Sequence, residues 1–359
     1  MENETPDTSN HLNWVEIKNF KSIKDLRLDC KRVNVFIGKP NVGKSNILEG
    51  LGLLGAGYIQ DRFMDGAVRY KEMKHLFFDN DRDNLIRITS DKGEFFLQVM
   101  RNNNSDFVSY LIDEHIQYNN EQDLKIQLSN VGGKLTGMNI KSNGLITEYM
   151  NGYRPGFCKK YDFNNIDTFS DSFNNFLSPP NGSNLFSIID KSHDLKNEFG
   201  QIFQQQGLDF VLSREDQTLE LQRKDGFYVI KYPFFSIADT FRRFMFYITA
   251  IESNTNSVII FEEPEVHSFP PYTQELGQRV ILSDENQFFI STHSPYLLHT
   301  LIENLEINQL NVFVTYYENY ETKVRSLTAE ELRKILDFST DVFFNLDKFI
   351  PNAQPFAAA

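Results

Sequence analysis

The segment that decides the fold is Gly38-Lys-Pro-Asn-Val-Gly-Lys-Ser45, which follows the apolar run Val33–Ile37 and precedes a helix-like stretch, Asn46–Leu54. In a loop of this pattern, glycines let backbone N–H groups turn toward a polyphosphate. The lysine reaches the β and γ phosphates, and the terminal hydroxyl holds Mg²⁺. The sequence therefore predicts a nucleotide-binding loop between a strand and the N-terminus of a helix.

These roles fall on particular residues of the loop. Lys44 is expected to contact the transferring phosphate, and Ser45 to hold the metal. ATP and Mg²⁺ are the cofactors that this chemistry implies. The residues predicted to bind the nucleotide are Gly38, Lys39, Pro40, Asn41, Val42, Gly43, Lys44, Ser45 and Asn46.

Composition excludes several classes of protein. With 359 residues and 40% apolar content the chain can form a substantial core, so general disorder is not expected. The net charge of −13 argues against a broad nucleic-acid-binding surface. A basic strip could still touch phosphates, although a solvated face is the favoured interpretation; it contains Lys18, Lys21, Lys24, Arg27, Lys31 and Arg32.

The remaining features favour a cytoplasmic protein. Cys30 and Cys158 are far apart and lack metal-ligand spacing, which fits a reducing compartment. No stretch approaches the roughly 20 apolar residues of a membrane span, and the polar start Met1–His11 is unlike a signal peptide. We therefore expect no membrane partner.

Strand-like and helix-like segments divide the chain into two parts of one ATPase head with an insertion between them. Short alternating runs precede the loop, and a meander of strands follows its helix, with short strands predicted at 116–118 and 125–128 among them. The middle of the chain changes character at Pro179-Pro180-Asn-Gly182 and then shows helical spacing. The predicted divisions are a disordered leader (1–11), the N-terminal part of the head (12–150), a mainly helical insertion (151–210), the C-terminal part of the head (211–356) and a short tail outside the fold (357–359).

A second motif, Val258-Ile-Ile-Phe-Glu-Glu-Pro-Glu-Val-His267, supplies the carboxylates that a phosphate-binding loop needs. A buried strand should end in an acid that orders the Mg²⁺ shell, and a neighbouring acid can polarise the attacking water. Glu262 is assigned to the metal. Glu263 is assigned to the water and is the predicted catalytic acid–base residue. The alternative is a solvated strand end with incidental acids.

His293 follows another apolar segment in Phe289-Ile-Ser-Thr-His-Ser-Pro295. A histidine after a strand is more often structural than catalytic when it stands alone. Together with the two preceding motifs it is predicted to sense the γ-phosphate, by a hydrogen bond to the phosphoryl group or to the attacking water.

The three motifs in this order resemble the ABC-type ATPase heads of the RecF, SMC and OLD group, over about residues 12–60 and 205–300. The resemblance implies an α/β P-loop NTPase head of ABC type, with a mixed sheet, an N-terminal antiparallel β lobe and an inserted helical subdomain. It also implies that the nucleotide lies between two heads, completed by a signature segment from the other protomer. Ser236, in Phe235-Ser-Ile-Ala-Asp-Thr-Phe-Arg-Arg243, matches the signature serine.

The chain departs from the family pattern at several positions. Ala238-Asp239 replaces the glycine-rich part of the signature, and Glu262 stands where the family usually has Asp. Both departures bear on the hydrolysis rate more than on nucleotide binding. The family also uses a glutamine after the first helix to contact the metal, and Gln60 is a candidate for that role; an exposed loop glutamine is an equal alternative.

The resemblance implies an ATP-hydrolysing subunit of a bacterial anti-phage defence complex. Such a subunit would form a homo-oligomer, at least a dimer, that sandwiches ATP and holds or triggers a separate effector, a nuclease or toxin. One alternative is a RecF-like or SMC-like DNA-repair ATPase that binds DNA, which the acidic charge does not favour. Another is a nucleotide-sensing scaffold with little hydrolysis.

Overall fold

A computed structural model describes residues 6–56, 61–100, 106–112, 123, 135–150, 156–166, 168–170, 174–337 and 342–351. In chain order its strands are β1 (Trp14–Phe20), β2 (Ile23–Asp29), β3 (Val33–Gly38), β4 (Ile86–Ser90), β5 (Glu94–Val99), β6 (Phe107–Ile112), β7 (Leu135–Ile140), β8 (Ile146–Met150), β9 (Cys158–Tyr161), β10 (Asp209–Ser213), β11 (Thr218–Asp225), β12 (Tyr228–Pro233), β13 (Val258–Glu262), β14 (Gln287–Ser291), β15 (Leu310–Glu318) and β16 (Glu321–Ser326). Its helices are α1 (Lys44–Gly52), α2 (Leu185–Lys191), α3 (His193–Gln204), α4 (Asp239–Glu252), α5 (Pro270–Leu282), α6 (Pro295–Asn304) and α7 (Ala329–Asp337).

A six-stranded sheet in the order β16-β15-β3-β14-β13-β9 forms the centre of the molecule. Its strands are parallel except for β16, which returns antiparallel to β15. Every residue of β3 and β14 is buried, as expected for parallel strands that are covered on both faces. The carboxyl ends of β3, β13 and β14 therefore meet at one edge of the sheet.

A seven-stranded antiparallel sheet in the order β2-β1-β4-β5-β6-β7-β8 forms the N-terminal lobe. Helix α1 lies between the two sheets, where it contacts β1 of the lobe and β9, β13 and β14 of the central sheet. Side chains of all three layers, including Ile17, Ile47 and Ile260, share one buried cluster. The lobe thereby fixes the helix that begins at the phosphate-binding loop.

Helices α2 and α3 and a small antiparallel sheet, β10-β11-β12, cover the other face of the central sheet. Phe199 and Phe203 of α3 are buried in the same cluster as Leu219 of β11 and Phe244 of α4. This layer leads directly into α4, which precedes the carboxylate strand β13. The signature-like segment therefore lies at the junction between the small sheet and α4.

The architecture confirms the predicted α/β class, the mixed sheet and the N-terminal antiparallel lobe. Strands β7 and β9 and helix α6 were not predicted. β9 lies inside the stretch expected to be a mainly helical insertion, yet it pairs with β13 as an edge strand of the central sheet. The strands predicted at 116–118 and 125–128 lie outside the described residues, and the domain boundaries remain a prediction.

Two expectations about the chain as a whole concern cysteines and membranes. Cys30 and Cys158 are both unpaired thiols, in agreement with their wide separation in sequence. Within the described ranges, no helix combines the length and the apolar character needed to cross a bilayer.

Candidate nucleotide-binding site

The loop between β3 and α1 has the geometry that its sequence predicts. Gly43 adopts a φ of 100°, and a Cβ placed there would lie 2.0 Å from Thr322 Oγ1. A Cβ on Gly38 would lie 2.4 Å from the backbone oxygen of Thr315. Both glycines are therefore required because β15 and β16 pack directly against the back of the loop.

Lys44 is buried at the first position of α1 and lies across the loop that precedes it. Its Nζ donates hydrogen bonds to the backbone oxygens of Gly38 (2.9 Å) and Lys39 (3.1 Å). Burial lowers the pKa of Lys44, while the charges of Glu263 and Glu262 act against that shift. The ammonium group is thus held inside the loop, where a phosphate can replace its carbonyl partners.

Glu262 ends β13 beside the loop, as predicted. Its carboxylate lies 3.3 Å from Arg69 and 3.5 Å from Lys160 Nζ, and the Ser45 side chain is a further polar neighbour. Burial acts to raise its pKa, but Lys160, Ser45 and Arg69 outweigh burial, so that the pKa is lowered. Glu262 is therefore ionised and lies beside the hydroxyl predicted to share its metal.

Glu263 and His293 meet at the same edge of the sheet. Glu263 Oε1 lies 3.3 Å from His293 Nε2, and the Glu263 backbone N–H donates to the Ser291 oxygen at 3.0 Å. Glu263 has a φ of 44°, a left-handed conformation that non-glycine residues adopt at a cost. Burial and the Lys44 charge lower the pKa of His293, while Glu263 acts to raise it. The imidazole is therefore neutral near pH 7.

Glu265 is a site residue whose role the sequence did not reveal. Its Oε1 accepts hydrogen bonds from Thr292 Oγ1 (2.6 Å), the His293 N–H (2.8 Å) and the Ser294 N–H (3.1 Å). Burial raises the pKa of Glu265, with these donors acting in the opposite direction. The third acid of Glu-Glu-Pro-Glu was the available signal, and its hydrogen bonds to residues 292–294 indicate that it fixes the histidine loop.

Arg69 is a second site residue that no sequence motif predicted. Its Nε donates to Glu49 Oε1 at 2.7 Å, and Glu49 is fully buried on α1, where Lys21 also pairs with it. The guanidinium then reaches Glu262 from this anchored position. Because 66% of the Arg69 side chain is exposed, it offers a positive charge to the space above the loop.

The loop, the acids and the histidine enclose one cavity of about 870 Å³, a size that suits a small-molecule ligand. Its lining is Ser22, Pro40, Asn41, Val42, Gly43, Lys44, Ser45, Asn46, Arg69, Asp162, Arg243, Tyr247, Glu262, Glu263, Val266, His293 and Tyr317.

The predicted site residues fall into three groups relative to this cavity. Most of the loop, both acids and His293 line it. Gly38 and Lys39 are not among the lining residues, and Lys39 Nζ donates to Asp347 at 2.6 Å. Ser236 is exposed and is not among the lining residues. Gln60 lies outside the described residues, so its predicted role in metal binding stays a prediction.

The donor set fits magnesium rather than a metal held by protein alone. Over the part of the chain that the structure describes, no group of three or more His, Cys, Asp or Glu side chains is arranged to bind a metal. Mg²⁺ usually takes one or two carboxylates together with substrate phosphates and water. Glu262 and the Ser45 hydroxyl, which line the same cavity, match that requirement.

Comparison with a family model supports this interpretation of the loop. Residues 11–134 match the model described as the AAA ATPase domain. The match includes β1, β2, β3, the loop and α1. The region that holds the phosphate-binding loop is therefore similar to an AAA ATPase domain. A search of functionally curated proteins gave no match.

Solved structures similar to this chain include heads of SMC proteins. One is the Smc head bound to the C-winged helix domain of ScpA, at 15% identity and TM-score 0.45, with 90% of this chain and 100% of that chain covered. Another is the SMC head domain from Thermotoga maritima, at 10% identity and TM-score 0.40, covering 89% and 100%. A third is an Smc head domain with an extended coiled coil bound to the C-terminal domain of ScpA derived from Pyrococcus furiosus. It matches at 12% identity and TM-score 0.46, with 92% of this chain and 99% of that chain covered.

Proposed function

We propose that this chain is an ATP-hydrolysing subunit of ABC type in which two copies enclose the nucleotide. The observation that carries the proposal is the convergence of Lys44, the Ser45–Glu262 pair and the Glu263–His293 pair on one cavity. Phosphoryl transfer requires a phosphate-binding cation, a metal position and a group that orients water. Residues suited to all three roles line the same cavity.

Each residue has a distinct task in hydrolysis. Lys44 and the loop N–H groups bind the β and γ phosphates, and Ser45 with Glu262 would hold Mg²⁺, which neutralises phosphate charge when bound. Glu263 accepts the proton of the attacking water. The neutral His293, 3.3 Å from Glu263, has one N–H donor, which orients that carboxylate or, with ATP bound, the γ-phosphate.

The first test is ATP turnover of the purified chain with and without Mg²⁺, for the wild type and for Glu263→Gln. We expect Mg²⁺-dependent phosphate release that falls roughly 100-fold or more in Glu263→Gln, while ATP affinity changes by no more than a few fold. Glu275→Gln, a surface substitution on α5, is the matched control. Equal turnover of Glu263→Gln and the wild type would place the base elsewhere.

We propose a second copy because Ser236 is exposed and does not line the cavity of its own chain. In the proposed dimer its hydroxyl would contact the γ-phosphate bound by the partner. Such an assembly is a clamp that ATP closes and hydrolysis opens, which suits a subunit that holds or releases a separate effector. We propose anti-phage defence as the setting of that clamp, on the resemblance to the OLD group.

The basic strip of the N-terminal lobe supports this function over DNA binding. Lys18 pairs with Glu16 and Asp25, Lys24 with Glu321, and Arg27 with Glu16 and Asp29. Lys31 and Arg32 donate to backbone oxygens, and Lys21 pairs with Glu49. Four of the six side chains thus face carboxylates of the same chain, which reduces the positive charge that the strip offers to DNA phosphates. Salt-sensitive DNA binding that strengthens with ATP is the result that would favour the RecF-like alternative.

A further inference from the structure

Tyr317 stands at the edge of the nucleotide cavity opposite to the catalytic acids. In the central sheet, β3 has β14 and β13 on one side and β15 on the other. Glu262, Glu263 and His293 come from the first side, whereas Tyr317 comes from β15. Thr315 pairs with Gly38, so Tyr317 lies two residues beyond the end of β3, beside the phosphate-binding loop.

The register of the β15–β16 hairpin determines which way Tyr317 points. Tyr317 pairs with Thr322, and residues directly opposite each other in an antiparallel pair project from the same face. The Thr322 hydroxyl donates to the Val42 oxygen at 3.0 Å and contacts Ser22 Oγ at 2.6 Å. Tyr317 therefore points toward the loop, and it lines the cavity with 49% of its surface exposed.

The loop fixes how a nucleoside triphosphate must run through the cavity. Its γ-phosphate belongs beside Glu263 and His293, where water is activated. The nucleoside must leave in the opposite direction, toward the lining residues Ser22, Asn46 and Tyr317. Ser22 accepts a hydrogen bond from Asn46 Nδ2 at 2.6 Å, so this end of the cavity is a connected surface rather than a loose edge.

We propose that Tyr317 is the platform on which the nucleobase stacks, a role that rests on the proposed function of the cavity. An aromatic ring on a base is worth roughly a 5- to 100-fold gain in affinity. Stacking uses the face of the base and not its edge, so adenine and guanine nucleotides gain similarly. Tyr317 thus distinguishes a nucleotide from a bare polyphosphate, and the hairpin that carries it links the base to the loop through Thr322.

The test compares the affinities of ATP and inorganic tripolyphosphate for the wild type, Tyr317→Ala and Tyr317→Phe. We expect Tyr317→Ala to weaken ATP binding roughly 5- to 100-fold and to leave tripolyphosphate binding unchanged, with Tyr317→Phe close to the wild type. Tyr320→Ala is the control, because Tyr320 is 81% exposed at the hairpin turn and is not a lining residue. We expect it to bind both ligands as the wild type does.

Several outcomes overturn the proposal. Equal loss of both ligands in Tyr317→Ala means a phosphate contact or a damaged loop, and no loss of ATP binding means that the base lies elsewhere. If Tyr317→Ala does not fold, Tyr317→Trp replaces it, and its fluorescence should change with ATP but not with tripolyphosphate. A wild type that binds neither ligand instead refutes the proposed function itself.

Discussion

The phosphate-binding half of the site and the signature-like segment were both predicted from short motifs, but they differ in burial and in their partners within the chain. Lys44 is buried, and Glu262 and Glu263 each have partners within the chain. Ser236 of the signature-like segment is exposed and does not line the cavity. One half of the site is preorganised by the fold, while the other lies on the surface, where the proposed second copy would use it.

Asp239 explains why the signature-like segment departs from a glycine-rich pattern. It begins α4 and pairs with Arg243 Nε at 2.7 Å and with His267 Nδ1 at 2.9 Å. Burial acts to raise its pKa, but the hydrogen bonds from Arg243 and His267 lower it. Arg243 in turn lines the nucleotide cavity of the same chain. Asp239 thus positions Arg243, and its negative charge stabilises the N-terminus of α4.

The largest expected effect comes from removing the cation of the preorganised half. Lys44→Ala should weaken ATP binding roughly 100-fold or more, because the phosphates lose a buried positive partner. Isothermal titration with ATP measures the loss. Lys334→Ala is the control, since Lys334 pairs with Glu330 on the surface of α7, does not line the cavity and should leave the affinity unchanged. Unchanged affinity of Lys44→Ala would falsify the assignment of the loop.

A smaller effect is expected from the exposed half, and it tests whether that half acts on another copy. Ser236→Ala should bind ATP normally but hydrolyse it roughly 10-fold more slowly. Mixing Ser236→Ala with Lys44→Ala should restore about a quarter of wild-type turnover, because half of the dimers are mixed and one of their two sites is intact. Turnover equal to the mean of the two separate variants would mean that Ser236 does not act across an interface.

The sequence revealed those parts of the site that lie in one contiguous segment of chain. The loop and the acids were predicted because the functional groups of each motif are contiguous in the sequence. Thr322 and Ser22 meet across 300 residues, so their support of the loop leaves no local pattern. The sequence Cys-Lys-Lys-Tyr of β9 looks too polar for a buried strand, yet Lys160 is 2% exposed because Glu262 and Asp162 provide its counter-charges.

The smallest expected effect concerns Glu265, which connects the acids of β13 to the histidine loop after β14. Glu265→Ala removes the acceptor of the Thr292 hydroxyl and of the His293 N–H, and the loss of the partner of the buried Thr292 hydroxyl should cost about 1–3 kcal/mol of stability. Turnover should fall several fold while ATP affinity is kept, because His293 loses its fixed position but the loop does not change. Chemical denaturation and turnover measure both effects, with Glu275→Ala on the α5 surface as the control. If Glu265→Ala matches that control in both, the histidine loop holds its position without the third acid, and preorganisation of this half extends only to Glu262 and Glu263.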